Sequence, residues 1–83
     1  MAERERFISR MTVEEVLKRL NQVENVEDID FDELDDILHS IKSFDGGLHS
    51  SCVSILEFLK ENGSDHLTDV ITEFEEIYDK LLL

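Results

Sequence analysis

Apolar residues recur at the three- and four-residue spacing of α-helices in four stretches of the chain. These stretches run from Val13 to Val23, from Phe31 to Phe44, from Leu48 to Leu59 and from Leu67 to Leu81. In each stretch the spacing places apolar side chains on one helix face, with charged side chains on the other. No stretch keeps the two-residue period of a half-buried strand. The pattern therefore predicts an all-α fold.

Capping residues indicate where two of these helices begin. Thr12 with Glu15 three residues later fits a capping box, and this divides the first 23 residues into two helices. Asp30 with Glu33 forms a second box before the acidic helix. The predicted helices are 2–10, 12–23, 31–43, 48–61 and 64–82.

Glycines are the main signals for helix ends, because the chain contains no proline. Gly46-Gly47 is expected to stop the acidic helix, since glycine tolerates the left-handed conformation of a C-cap. Gly63 is expected to close the following helix, and Ser64 to cap the last one. The short connections favour neighbouring, mostly antiparallel helices. Residues 1–83 are therefore predicted to form a single domain, a compact antiparallel bundle of four to five helices.

The charge is unevenly distributed along the chain. The net charge is −13, of which residues 1–19 contribute +1, residues 20–41 contribute −8 and residues 42–83 contribute −6. This excess of acid disfavours binding to nucleic-acid phosphates. No apolar run reaches the length of a membrane span, so no membrane association is expected. The single Cys excludes an intramolecular disulfide and favours a reducing compartment, with the cytoplasm as the expected location.

Catalytic and metal-binding arrangements are poorly represented. An EF-hand loop ending at Glu33 would place Val26 at a ligand position and Glu27 where the sharp turn requires glycine. One Cys and scattered His residues are insufficient for structural zinc, and Cys52 falls on an apolar helix stripe. His49 and Ser50 are adjacent, so a helix points them in different directions. We therefore expect no enzyme, no cofactor and no metal site.

The order of helices carries a family resemblance. An apolar helix, a short connection and an acidic helix follow one another in Val13–Ser43, and the next helix ends in Leu59-Lys60-Glu61-Asn62-Gly63. This order resembles the second to fourth helices of a caspase-recruitment domain, a member of the death-domain fold, and Ser64–Leu82 is similar to its fifth helix. The first helix, at most residues 2–11, is shorter than is usual in that family.

The resemblance implies a non-enzymatic domain that recruits a protein partner through charged patches. In many members of the family a basic surface on the first and fourth helices meets an acidic surface on the second and third. The matching basic positions here are Arg4, Arg6 and Arg10, and the acidic positions are Glu14, Glu15, Asp28, Asp32, Asp35 and Asp36. The expected partner is a protein with a basic surface, either a like domain or a different one, and self-association is open.

Other classes of protein are also consistent with this composition. A charge of −13 on 83 residues fits a small acidic inhibitor, an immunity protein, or a nucleic-acid mimic that occupies a basic site on its target. A helical structural subunit is a third interpretation, with an oligomer interface at Leu81-Leu82-Leu83 and the Phe58 side of its helix. The sequence leaves these alternatives open.

Overall fold

The protein is a four-helix bundle. The computed structural model describes residues 2–82, with side chains from residue 4 onwards, and Met1 and Leu83 of the predicted domain lie outside the described residues. Its α-helices are α1 (Ala2–Asn21), α2 (Phe31–Lys42), α3 (Gly46–Asn62) and α4 (Leu67–Leu82), with short 3-10 turns at Val26–Asp28 and Ser64–His66. No strand occurs within residues 2–82. The all-α prediction is confirmed, with four helices.

The first two predicted helices are one continuous helix, so the predicted boundary at Thr12 is wrong. Thr12 lies inside α1, where its hydroxyl donates to the Ile8 carbonyl at 2.8 Å instead of capping a new helix. The same oxygen lies 2.8 Å from the Ser40 hydroxyl of α2. Because residues 2–21 contain no glycine or proline, nothing in the backbone interrupts the helix.

Helix α2 begins as its capping box predicts. The Asp30 carboxylate accepts a hydrogen bond from the Glu33 amide at 3.1 Å, which satisfies one of the free amides of the first turn. Leu34, Leu38 and Ile41 are buried along one face of the helix. The helix ends at Lys42, one residue before the predicted boundary.

The connection between α2 and α3 differs from the prediction. Gly46 and Gly47 do not end α2, since both lie in the first turn of α3. Asp45 caps that turn, and its carboxylate accepts from the Leu48 amide at 3.0 Å. A capping aspartate before the glycines thus starts the new helix two residues earlier than expected.

The connection between α3 and α4 is only partly as predicted. Gly63 ends α3 with φ of +86°, a backbone conformation that favours glycine. Ser64 does not cap the last helix through its side chain. Its hydroxyl accepts from the Val26 amide at 2.9 Å, which links this connection to the one between α1 and α2.

Contacts between side chains show that α1 and α2 are antiparallel. Arg19 near the end of α1 pairs with Glu33 near the start of α2, whereas Thr12 meets Ser40 towards the end of α2. The three-residue turn at 43–45 then reverses the chain again. Residues at matching heights on α1 and α2 therefore have numbers that sum to about 52.

Helices α2 and α3 are also antiparallel. The Phe31 ring lies near Lys60, and the His39 ring lies edge-on to His49 with ring centroids 6.2 Å apart. Helix α4 completes the bundle by packing against both α1 and α3. Each helix therefore contacts its two neighbours in an elongated bundle of 38 × 21 × 18 Å.

The core runs along the centre of this bundle and draws on all four helices. Its fully buried side chains include Phe74 of α4, Leu20 of α1, Leu38 of α2 and Leu56 of α3. These side chains come from the apolar stripes of the sequence, so one face of every helix is fixed by burial. None of the described helices combines the length and the apolar character required to cross a bilayer.

Candidate functional site

The outer face of α2 carries three acidic side chains at the spacing of one helical stripe. Asp32, Asp35 and Asp36, which we call the α2 acidic face, are all exposed. Among residues 4–82 the structure shows no ion pair to any of the three. Their charges therefore face solvent and are accessible to another molecule.

Arg19 lies among further acids where α1 and α2 meet. Its guanidinium pairs with the Glu33 carboxylate, and its Nε is 3.5 Å from Oε2 of Glu15. Asp28 and Asp30 line the same recess, which has a volume of about 160 Å³. Arg19 is absent from the predicted site residues because its pairing with Glu33 depends on the register between two helices. It offsets only part of the local negative charge.

Acidic residues concentrate at one end of the bundle. Helix α1 ends and α2 begins at this end, and α3 ends and α4 begins beside them. Residues 22–36 and 57–69, which form what we call the acidic end, contain twelve Asp or Glu and one Lys. That Lys60 lies over the Phe31 ring, with Nζ 5.9 Å from the ring centroid. The fold thus gathers acids that are far apart in the chain.

The predicted basic residues lie at the opposite end of α1. Arg4 and Arg6 are exposed, and Arg10 is half-buried with its guanidinium carbon 5.4 Å from the centroid of the Phe7 ring. A rise of about 1.5 Å per residue places Arg10 roughly 16 Å from the end of α1. The arginines and the acidic end are therefore separated along the long axis.

The two predicted glutamates of α1 face different neighbours. Glu15 belongs to the cluster around Arg19, whereas Glu14 accepts a hydrogen bond from the Tyr78 hydroxyl of α4 at 3.1 Å. This bond, and to a smaller extent desolvation, raises the pKa of Tyr78. The structure therefore places Glu15 and Asp28 around Arg19, and Asp32, Asp35 and Asp36 on the outer face of α2, whereas Glu14 lies beside Tyr78.

Cys52 occupies the core of α3, as its position on the apolar stripe predicts. The residue is fully buried. Burial, and second the charge of Asp45, raise the pKa of the Cys52 thiol to about 11, so the thiol is protonated at neutral pH. Within the described residues no three His, Cys, Asp or Glu side chains are grouped to hold a metal ion. This region contributes packing rather than a reactive nucleophile.

Comparison with known proteins adds no further constraint. No family model matches the chain, and no curated protein or solved structure is significantly similar to it. Function is therefore inferred from the charged surface itself.

Proposed function

We propose that this chain is a non-enzymatic protein-interaction module whose acidic end binds a basic surface of another protein. The α2 acidic face carries this proposal. Asp32, Asp35 and Asp36 are exposed side by side, and each lacks an ion-pair partner among the described residues. Such a surface attracts a basic partner over a distance and favours it over an acidic one.

Interaction with the helix dipole explains the positions of only some of these acidic residues. Acidic side chains stabilise the first turn of a helix, where Asp32 and Glu33 lie. This stabilisation declines beyond the first turn. Asp35 and Asp36 lie in the second turn, three and four residues after Asp32, so each repels Asp32 across one turn of the helix. A partner that neutralises them would remove this repulsion.

The α2 acidic face is also held rigidly. Leu34, Leu38 and Ile41 anchor the opposite side of α2 in the core, and Asp30 caps its start. A rigid face presents its charges without a large loss of conformational entropy on binding.

The proposal is independent of membership of the caspase-recruitment family. The resemblance implies an interaction role of the same general class, but residues 2–21 form one helix where that family has two. With its single buried Cys, the chain is consistent with a reducing compartment, and we place the interaction in the cytoplasm.

A charge-swap pair tests the proposal. The test variant is Asp35→Lys with Asp36→Lys, and the control is Glu75→Lys with Asp79→Lys, which makes the same charge change at exposed positions of α4. The immobilised wild-type protein and both variants are incubated with the same cell extract, and the captured basic proteins are quantified by mass spectrometry. Surface substitutions of this kind usually change stability by about 0.5 kcal/mol or less, so all three proteins should fold.

The expected result is specific to the α2 acidic face. Basic proteins bound by the wild type and by the control should fall at least about tenfold on the Asp35/Asp36 variant, since unlike charges become like charges. Salt of about 0.5 M should release them from the wild type. If the test variant captures the same basic proteins as the wild type, the proposal is wrong.

A further inference from the structure

The seam between α3 and α4 is open. Of the four neighbouring helix pairs, α3 and α4 pack least closely, and a groove of about 530 Å³ lies between them. Ile55 and Ile77 are partly buried and form its apolar floor. Glu73, Glu76 and Lys80 form a rim on the α4 side, with a net charge of −1. We call this feature the α3–α4 groove.

The α3 side of the groove is lined by small side chains. These are serines, among them Ser51 and Ser54, and they leave room for close approach of a helix. Grooves with an apolar floor between two helices are a common docking site for an amphipathic helix. The two glutamates of the rim favour a helix that carries basic residues beside its apolar stripe.

The first half of α1 has those properties. Phe7 and Met11 are one turn apart, and their side chains are 51% and 50% exposed. Arg10 lies over the Phe7 ring, and Arg4 precedes Phe7 by three residues on the same side of the helix. We call Arg4, Phe7, Arg10 and Met11 the α1 knob. The knob therefore presents two large, half-exposed apolar side chains beside two arginines.

We propose that the α1 knob of one copy docks into the α3–α4 groove of a second copy. Phe7 and Met11 cover Ile55 and Ile77, and the arginines face the glutamates of the rim. The two surfaces belong to different helix pairs, so the contact is heterologous. A heterologous contact that does not close into a ring adds copies head to tail. The surfaces are distinct from the acidic end and extend the proposed function.

Two variants disable one surface each. Phe7→Ser with Met11→Ser removes the apolar part of the α1 knob, and Glu73→Lys with Glu76→Lys makes the rim repel arginine. All four positions are exposed, so the bundle is expected to fold, and circular dichroism checks this. Sedimentation velocity from about 10 μM to about 1 mM covers the range of weak, transient interfaces.

The expected results differ for each sample. The average mass of the wild type rises with concentration above the 9.7 kDa of one copy, and each variant alone stays monomeric. An equimolar mixture of the two variants forms a dimer and nothing larger. In that mixture the intact knob of the rim variant meets the intact groove of the knob variant, and the two disabled surfaces cannot extend the chain.

Two controls separate this proposal from the proposed function. Asp35→Lys with Asp36→Lys and Glu75→Lys with Asp79→Lys should both self-associate as the wild type does. If the Asp35/Asp36 variant alone becomes monomeric, copies meet through the acidic end and the groove proposal is overturned. It is equally overturned if the wild type remains monomeric at every concentration, or if the mixed variants form no dimer.

Discussion

The α1–α2 seam and the α3–α4 seam both join antiparallel neighbours. The first packs more closely, with a recess of about 160 Å³ at the acidic end, and we call it the closed seam. Between α1 and α2, the Thr12 and Ser40 hydroxyls meet at 2.8 Å, and Arg19 pairs with Glu33 nearer the acidic end. Between α3 and α4, Ile55 and Ile77 lie on the floor of an open groove. Neighbouring helices of one bundle can therefore differ strongly in how completely they cover one another.

The two seams therefore contribute differently to the fold. The closed seam fixes the register of α1 against α2 through polar contacts that only one register satisfies. The open seam leaves apolar surface and acidic side chains exposed, which stabilise the monomer little. The contrast indicates that the α3–α4 seam contributes less to stability than the other seams and leaves more of its surface exposed.

The largest expected effect compares one residue from each side. Leu38→Ala deletes a fully buried side chain of α2 and should lower the free energy of unfolding by about 3 kcal/mol. Ile77→Ala at the groove floor should lower it by only about 1 kcal/mol, because its side chain is partly buried already. Urea denaturation of dilute, monomeric samples measures both values. Equal losses would show that the α3–α4 groove is closed in solution.

A pH titration tests whether the core beside the groove is sealed. The pKa of the Cys52 thiol is raised from its ordinary value near 9 to about 11 in the folded protein. Between these values the folded state holds the thiol proton more tightly than the unfolded state. The free energy of unfolding should therefore fall as pH rises from 9 to 11. Below pH 9 the thiol is protonated in both states, so its full contribution to stability is present there.

The size of the pH effect should be about 1–3 kcal/mol, measured as the difference between wild type and Cys52→Ala. The alanine variant keeps the titration of Tyr78 and so isolates the thiol. If the two proteins lose stability in parallel above pH 9, water reaches Cys52 in the folded state and the core is not sealed there.

The smallest effect compares two threonines of similar local geometry. Both Thr12 and Thr72 donate to a carbonyl four residues earlier, but only Thr12 also meets a hydroxyl on another helix. Thr12→Val should lower the free energy of unfolding by about 1 kcal/mol, whereas Thr72→Val should change it by less than about 0.5 kcal/mol. Thermal denaturation distinguishes them, and indistinguishable variants would show that the Thr12–Ser40 contact does not hold the closed seam.

Helix α2 shows what the sequence can predict about this fold. Its capping aspartate and its apolar stripe are local signals, and both coincide with the observed helix within one residue. The helix boundary predicted at Thr12 is wrong because the contacts of the Thr12 side chain are not all local. The Thr12 hydroxyl finds its partners on the preceding turn and on Ser40, a residue 28 positions away, and no local pattern reveals that contact.

The candidate surfaces also differ in whether local sequence patterns predict them. The exposure of Asp35 and Asp36 follows from helical periodicity, since the core residues of α2 fix its buried side. The ion pair of Arg19 with Glu33 depends on the register between helices and could not be read from the chain. The α3–α4 groove depends on how far apart two helices lie, and apolar spacing carries no information about that distance.

The hydrogen bond from the Val26 amide to the Ser64 hydroxyl bears on the order of folding. It joins the turn of the first helical hairpin to the turn of the second across 38 positions of the chain. Each hairpin can form from local contacts, which cost little loop-closure entropy. The bond can form only once both hairpins have docked, so we expect the amide of Val26 to be among the last protected from hydrogen exchange during refolding.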